Sequence, residues 1–463
     1  MTMEKNIKYI FIIFAIILFL YALFSIKISY HDSNEYITVA KYFAGINNVD
    51  LFSAHSVLYP ILISLALKMW ASDIMLRLCN VFWIFLISIS LYLFKKDKKL
   101  LLLFIFSPIV WIVGIQTTPV LPATLFFTLS YLFFEKKSIK YHLYYSGLFA
   151  GLSIAFYDPM IILIVFYLLI YFWRNTFNDF LMFFIMMTIG IFPRLIIDYK
   201  LFGNPFYSFI RYFGANVLVS MGVRESRNFG VLLDKPQLLL PLIIIISPLL
   251  IFIYKIDIKK YKNELLLIIL VSSFFLIRIF NIKYFLILTP IILMSLKEVL
   301  TDREIKWHCI LSIFIILIFV SNTFSYKIDR DSQNDLEEIE KNYPSNLYLT
   351  YTDQAYNIAV YSWENNPRFI WLQDYEAYND NRSTMKSYSV ETKSKIPLRE
   401  KMVIRFDFDR PDNQSYGEIK YLIINKNILY KIDKTPSLRN YQLIKCYNEL
   451  CVYGIKEEQI SRL

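Results

Sequence analysis

From its start to about residue 324 the chain alternates long apolar runs with short Lys-rich breaks, and beyond that point the alternation stops. Between Ile7 and Ile28 only Lys8, Ser25 and Lys27 interrupt the apolar run, enough to cross a hydrocarbon core that takes ~20 residues. The run is too long for a signal peptide and no small-residue cleavage site follows it, so it reads as a retained anchor. Further spans are expected at Ser72 to Phe94, Leu100 to Gly114, Pro119 to Phe134, Tyr141 to Phe156, Pro159 to Trp173, Phe177 to Tyr199, Pro236 to Tyr254, Leu265 to Phe280, Tyr284 to Leu296 and His308 to Phe324. With the first run these make about eleven crossings.

One apolar stretch needs a second criterion. Leu51 to Trp70 is hydrophobic enough to span, but crossing there would leave the cluster Lys95 to Lys99 on the outer face, against the inside bias of basic loops. Laid instead as an interfacial helix in a first outer loop, residues 29–72, it returns that cluster to the cytoplasm. The loops Lys95 to Lys99, Glu135 to Lys140, Arg174 to Asn178, Lys255 to Glu264 and Lys297 to Lys306 then all fall inside, and all carry Lys or Arg. From Ser325 to Leu463 the pattern is that of a small α/β domain on the outer side. Helices are expected at Asp335 to Tyr343 and Tyr356 to Trp363, and strands at Asn346 to Thr350, Arg368 to Trp371, Lys401 to Phe406, Tyr421 to Ile424, Tyr441 to Tyr447 and Cys451 to Ile455. The division is thus a membrane domain over 1–324 and an extracytoplasmic domain over 325–463.

Composition agrees. Of 463 residues 56% are hydrophobic and 18% aromatic, which excludes a soluble protein and places the chain in the cell membrane as a multi-pass protein. The formal net charge of +11 does not indicate nucleic acid, because the basic residues sit mostly in short loops, where they report topology. Cys79 and Cys309 lie in apolar runs as packing residues. Cys446 and Cys451 flank a hairpin turn and could pair in an oxidising space, and no zinc ligand set is present.

The chemistry-bearing segment is Tyr30-His31-Asp32-Ser33-Asn34-Glu35-Tyr36, directly after the first span. A carboxylate at a membrane face stays solvated and ionised, which suits a general base or a cation anchor. The same spacing also makes a capping-box start for a helix from Ser33 to Ala44. Both uses are open to one segment. Asp32 and Glu35 are the only pair placed to take a divalent metal, and they lack a clear third ligand. On or near the outer face the sequence also gathers Arg194, Lys200, Arg211, Arg224, Arg227, Arg278 and Lys283, a cationic group able to hold a phosphate or, more blandly, to pair with Asp198, Glu225 and Asp234.

Four segments carry a family resemblance, in order along the chain. Asp32, Tyr36 and Ala40 fit the Asp-x-x-x-Tyr-x-x-x-Ala signature that follows the first helix in GT-C glycosyltransferases, the group holding protein O-mannosyltransferases and the lipid A aminoarabinose transferase. His55-Ser56-Val57-Leu58-Tyr59-Pro60 is similar to the family's His/Lys-Pro-Pro-Leu-Tyr-Pro segment, with its paired prolines replaced. The stretch from Pro193 through Arg194 to Phe202-Gly203-Asn204-Pro205-Phe206 resembles the family's span ending in Phe-Gly-Asn-Pro-Phe. Lys283-Tyr284, with Pro290, resembles a late Arg-Tyr-x-x-x-x-x-Pro segment.

The resemblance implies a GT-C-like enzyme that moves a sugar from a polyprenyl- or dolichyl-phosphate carrier to an acceptor hydroxyl on a lipid, glycan or protein. Asp32 would be the general base, with Glu35 orienting it or capping the helix. Tyr36, His55, Tyr59, Arg194, Asn204, Arg211, Arg278 and Lys283 would bind substrate, inversion at the anomeric carbon would follow from direct displacement, and membrane lipids would be the remaining partners. The rival is a transporter or lipid-linked sugar flippase, which predicts mid-span charges and an internal repeat. Mid-span charges are nearly absent and no repeat is evident, so the enzyme is preferred.

Overall fold

Apolar runs and their capping residues set the helices. The computed structural model describes residues 5–28, 33–49, 55–171, 176–220, 239–251, 253–278, 282–324, 326–350, 358–363, 367–371, 420–426 and 441–455. The helices are α1 Lys5–Phe24, α2 Ser33–Ala44, α3 Leu58–Met69, α4 Asp73–Lys95, α5 Lys98–Ile105, α6 Pro108–Gly114, α7 Val120–Glu135, α8 His142–Phe156, α9 Met160–Tyr171, α10 Phe177–Phe202, α11 Tyr207–Ser220, α12 Leu239–Leu250, α13 Lys262–Arg278, α14 Lys283–Leu296, α15 Asp302–Phe324 and α16 Lys327–Asn342. Ser72 caps α4 by accepting from the Met75 amide, Asp97 caps α5, and Thr176 caps α10.

Among the described residues four helical stretches are long and apolar enough to cross a membrane: Ile7–Phe24, Asp73–Lys95, Phe177–Phe202 and the run containing α15. Their outer faces are apolar as well. Phe192 on α10 and Phe314 and Ile318 on α15 are more than half exposed, a surface suited to lipid and not to water. The chain is a multi-pass membrane protein. At twelve residues α3 reaches only ~18 Å, short of a ~30 Å hydrocarbon core.

One expected span is corrected. Leu100 to Gly114 is not continuous but breaks into α5 and α6 at Ser107, whose ψ of 118° is extended. Pro108 has no amide to donate and drives the residue before it out of helical geometry, which hydropathy does not register. Helix α16 also starts eight residues before the expected Asp335, because its first turns bury polar residues, Asp329 and Ser332, where an apolar stripe would have announced them. Of the expected helix Tyr356 to Trp363 only 358–363 is described, as a single turn, and the expected strand Lys401 to Phe406 lies outside the described residues.

Lys-rich loops meet at one end of the bundle. Lys95 pairs with Glu135, Lys297 with Asp97 at 2.9 Å, Lys99 with Asp302 at 2.9 Å and Lys255 with Glu304, while Tyr131 and Tyr171 both donate to Glu264. At the other end the chain builds a six-stranded sheet, β1 Asn48–Val49, β2 Leu347–Thr350, β3 Arg368–Trp371, β4 Tyr421–Asn425, β5 Tyr441–Cys446 and β6 Leu450–Ile455, in the order β1-β3-β2-β4-β6-β5. Strands β1 to β4 pair in parallel and the β5–β6 hairpin closes the far side antiparallel, its facing residues Cys446 and Cys451 joined by a disulfide. Strand β1 comes from the first loop, so this loop and the C-terminal region occupy the same end of the molecule.

Helices α8 and α10 pack with almost no space between their backbones. A Cβ on Gly151 would lie 1.9 Å from the Met187 carbonyl oxygen, and one on Gly190 2.3 Å from that of Leu148. Small residues four apart, Gly147 and Gly151, permit this approach. Gly151→Ala is expected to destabilise by about 1–3 kcal/mol, since backbone and not a flexible side chain must yield. A lowered melting temperature of the detergent-solubilised protein would register it.

Candidate functional site

The first loop folds its aromatic residues against the link between α8 and α9. Burial of Tyr36 and Ala40 seats α2 on the bundle, and the Tyr36 ring meets the His55 ring at 5.5 Å and the Tyr59 ring, edge-on, at 6.0 Å. Tyr59 is fully buried at the start of α3 and donates its hydroxyl to Asn80 Oδ1 on α4 at 3.2 Å. Ser56 Oγ donates to the Ala155 carbonyl at 2.7 Å, which fixes the loop beside the end of α8. The next polar residue along that link is Asp158.

Asp158 is the centre of the site and is 1% exposed. Its Oδ1 accepts from Arg194 Nη2 at 2.5 Å, and its Oδ2 lies 3.5 Å from His55 Nδ1. Burial alone would raise this carboxyl, but Arg194 and then His55 outweigh it and hold the group below its ordinary value, so it is ionised. Arg194, also 1% exposed, makes two further bonds to the protein, from Nε to Ser208 Oγ at 2.9 Å and from Nη1 to the Ile154 carbonyl at 3.3 Å, with the Phe209 ring 3.6 Å beneath the guanidinium. Ser208 in turn donates both its amide, at 3.1 Å, and its hydroxyl to Asp198. Two buried charges are tolerable only when paired and hydrogen-bonded in this way.

Further aromatic rings gather beside His55 and next to Asp158 in the chain. Tyr212 on α11 faces His55 at 5.6 Å, and Tyr157 stacks on Tyr284 of α14 at 6.0 Å. Burial, followed by the nearby phenols of Tyr284, Tyr36 and Tyr212, keeps Tyr157 protonated far above neutral pH. Arg211 precedes Tyr212 and lies near the Tyr207 hydroxyl at 3.4 Å, while Lys283 precedes Tyr284, and both cations are largely buried.

Of the residues expected from the sequence, Tyr36, His55, Tyr59 and Arg194 therefore come together, and Arg211 and Lys283 are each one residue from a tyrosine of the cluster. Glu35 sits half-buried in the first turn of α2. Asn204 is exposed and accepts from the Phe206 amide at 2.9 Å, and with Gly203 at φ 70° it ends α10 and turns the chain into α11. Asp32, Arg224, Arg227 and the side chain of Arg278 lie outside the described residues. Asp158, Tyr157, Ser208, Tyr212 and Tyr284 escape the sequence reading as site residues. Asp158 carried the same signal as Asp32, a carboxylate beside an expected span. Asp198, one of the carboxylates offered as alternative partners for the basic cluster, is linked to Arg194 through Ser208. Among the described residues no group of three or more His, Cys, Asp or Glu is arranged to hold a metal ion.

No family model and no curated sequence matches the chain. Two crystal structures do match in shape: ArnT from Cupriavidus metallidurans bound to undecaprenyl phosphate, with a TM-score of 0.65 and 9% identity over 98% of this chain and 98% of that one, and the same protein in the apo state, with a TM-score of 0.65 and 9% identity over 97% and 98%. What is shared at that identity is the fold, and the chain is similar in fold to ArnT over nearly its whole length.

Proposed function

We propose that the protein transfers a sugar from a polyprenyl-phosphate carrier to an acceptor hydroxyl at the outer face of the cell membrane. The observation that carries this reading is the placement, in a fold shared with a protein that binds undecaprenyl phosphate, of Tyr36, His55 and Tyr59 from the first loop over the buried Asp158–Arg194 pair. Asp32 acts as the general base on the acceptor hydroxyl, and Glu35 orients it. The leaving group is a phosphate monoester of the lipid, already a good leaving group, so no general acid is required. Direct displacement inverts the anomeric carbon. Arg211 and Lys283 supply positive charge to the departing phosphate, and Arg278 is a third candidate for that role. Arg194, buried and bonded to Asp158, Ser208 and the Ile154 carbonyl, acts by holding Asp158 and Ser208. A divalent metal, if required, would find its carboxylates in Asp32 and Glu35.

Incubation of the purified protein with undecaprenyl- and dolichyl-phosphate-linked sugars tests this. Release of the polyprenyl phosphate coupled to glycosylation of a hydroxyl acceptor is expected. Translocation of the intact lipid-linked sugar across a vesicle without cleavage would overturn it.

Orientation has a separate test. In protein lacking Cys79 and Cys309, single cysteines at Ala71 and Lys420, both partly or fully exposed, should react with an impermeant thiol reagent on intact cells, and one at Lys137 should not. Labelling confined to Lys137→Cys would put the site on the cytoplasmic face.

A further inference from the structure

We infer that the C-terminal region is a clamp for the loop that carries Asp32, with Asp329 and Lys41 as its positioning residues. The inference rests on the transferase reading above for what the clamp serves. Upstream of the segment, Ile26 donates its amide to the Thr323 carbonyl at 3.0 Å, and Ile28 donates to Asp329 Oδ2 at 2.5 Å. Asp329 is 1% exposed, in the first turn of α16, and its other oxygen accepts from the Tyr361 hydroxyl at 2.8 Å. The chain on that side is therefore tied to the base of the C-terminal region.

Downstream, α2 is tied to the same turn. Lys41 is fully buried, and its ammonium donates to the carbonyls of Val360 at 2.5 Å, Ser362 at 2.8 Å and Ala359 at 3.3 Å, with the Trp363 ring 3.6 Å away. Asn47 Nδ2 donates to the Ala359 carbonyl at 2.9 Å, and β1 continues as the edge strand of the sheet beside β3. Tyr361 belongs to this turn and also bonds Asp329, so one short element, 358–363, links the two anchors. Only residues 29–32 separate Ile28 from α2. A lysine buried among backbone carbonyls more than 300 residues away in sequence is costly to desolvate, a cost that the Asp73 and Glu340 carboxylates offset in part. Its use is to fix α2 in one position on the sheet. A carboxylate that must meet an acceptor hydroxyl within about 3 Å benefits from such fixation on both sides.

Full-length protein with Asp329→Asn, Tyr361→Phe or Lys41→Met tests this, with Lys41→Arg as the conservative variant. Turnover and KM for the lipid-linked sugar are measured on folded protein, together with the mobility of a spin label on His31→Cys in protein lacking Cys79 and Cys309. The expected result is a fall in kcat of about tenfold or more with KM for the donor little changed, and a label that becomes more mobile. Tyr361→Phe removes a single hydroxyl and should show the same split in milder form, which separates positioning from loss of fold. Partial recovery of kcat and of label restraint in Lys41→Arg supports the clamp. An unchanged label in all these variants, or a kcat that falls only with the fraction of folded protein, overturns it. If the label is released while wild type transfers no sugar, the transferase reading fails and the clamp stands.

Discussion

Asp32→Asn should lower sugar transfer by about a hundredfold to ten-thousandfold, the usual contribution of a positioned general base. The amide keeps an oxygen able to accept from a helix N-terminus, so α2 should form as before and the melting temperature should hardly move. Asp32→Ala removes that oxygen too and should add a stability loss of about 1 kcal/mol to the same catalytic defect. Glu35→Gln should be milder, because Glu35 orients or caps and does not take the proton. Turnover of a lipid-linked sugar, measured beside thermal unfolding in detergent, distinguishes the two roles of the segment. Full transfer by folded Asp32→Asn protein would leave Asp32 as a cap only.

Loss of Arg194 is the second large effect. Arg194→Met would leave Asp158 buried beside His55 without its guanidinium partner, and Ser208 without the guanidinium it accepts from. Breaking a buried pair from one side costs about 3–5 kcal/mol, because the remaining charge is uncompensated. Asp158→Asn combined with Arg194→Met should recover part of that loss, since no lone charge remains, and the shortfall from additivity measures the coupling. The pH dependence has a definite sign. Because the Asp158 carboxyl is held below its ordinary value in the folded protein, its stabilisation is present above the unfolded carboxyl's pKa, about 3.9, and is lost as pH falls below it through the lower folded value. Wild type should therefore lose melting temperature below about pH 4 more steeply than the double variant. Equal acid sensitivity in the two proteins would mean that the pair does not govern it.

The membrane class, the approximate helix limits and most described strands of the C-terminal sheet were legible in the sequence, because each follows from local hydropathy, caps and alternation. Ser72, Asp97 and Thr176 start helices through bonds to amides two or three residues away, and such short-range rules need no tertiary context. Tyr36, His55 and Tyr59 could be singled out only because their segments resemble those of a known family, since neither hydropathy nor charge distinguishes them. Which residue Arg194 faces could not. Its partner Asp158 is 36 positions away and is brought to it by the close α8–α10 packing that Gly151 and Gly190 permit. Likewise, the sequence marked a first loop and a separate C-terminal region, while the contacts of Lys41, Asn47 and β1 with residues more than 300 positions on exist only once the chain closes on itself. Periodicity and charge act over a few residues and fix the elements, but the pairing of buried charges depends on which elements become neighbours, and that was decided by packing alone.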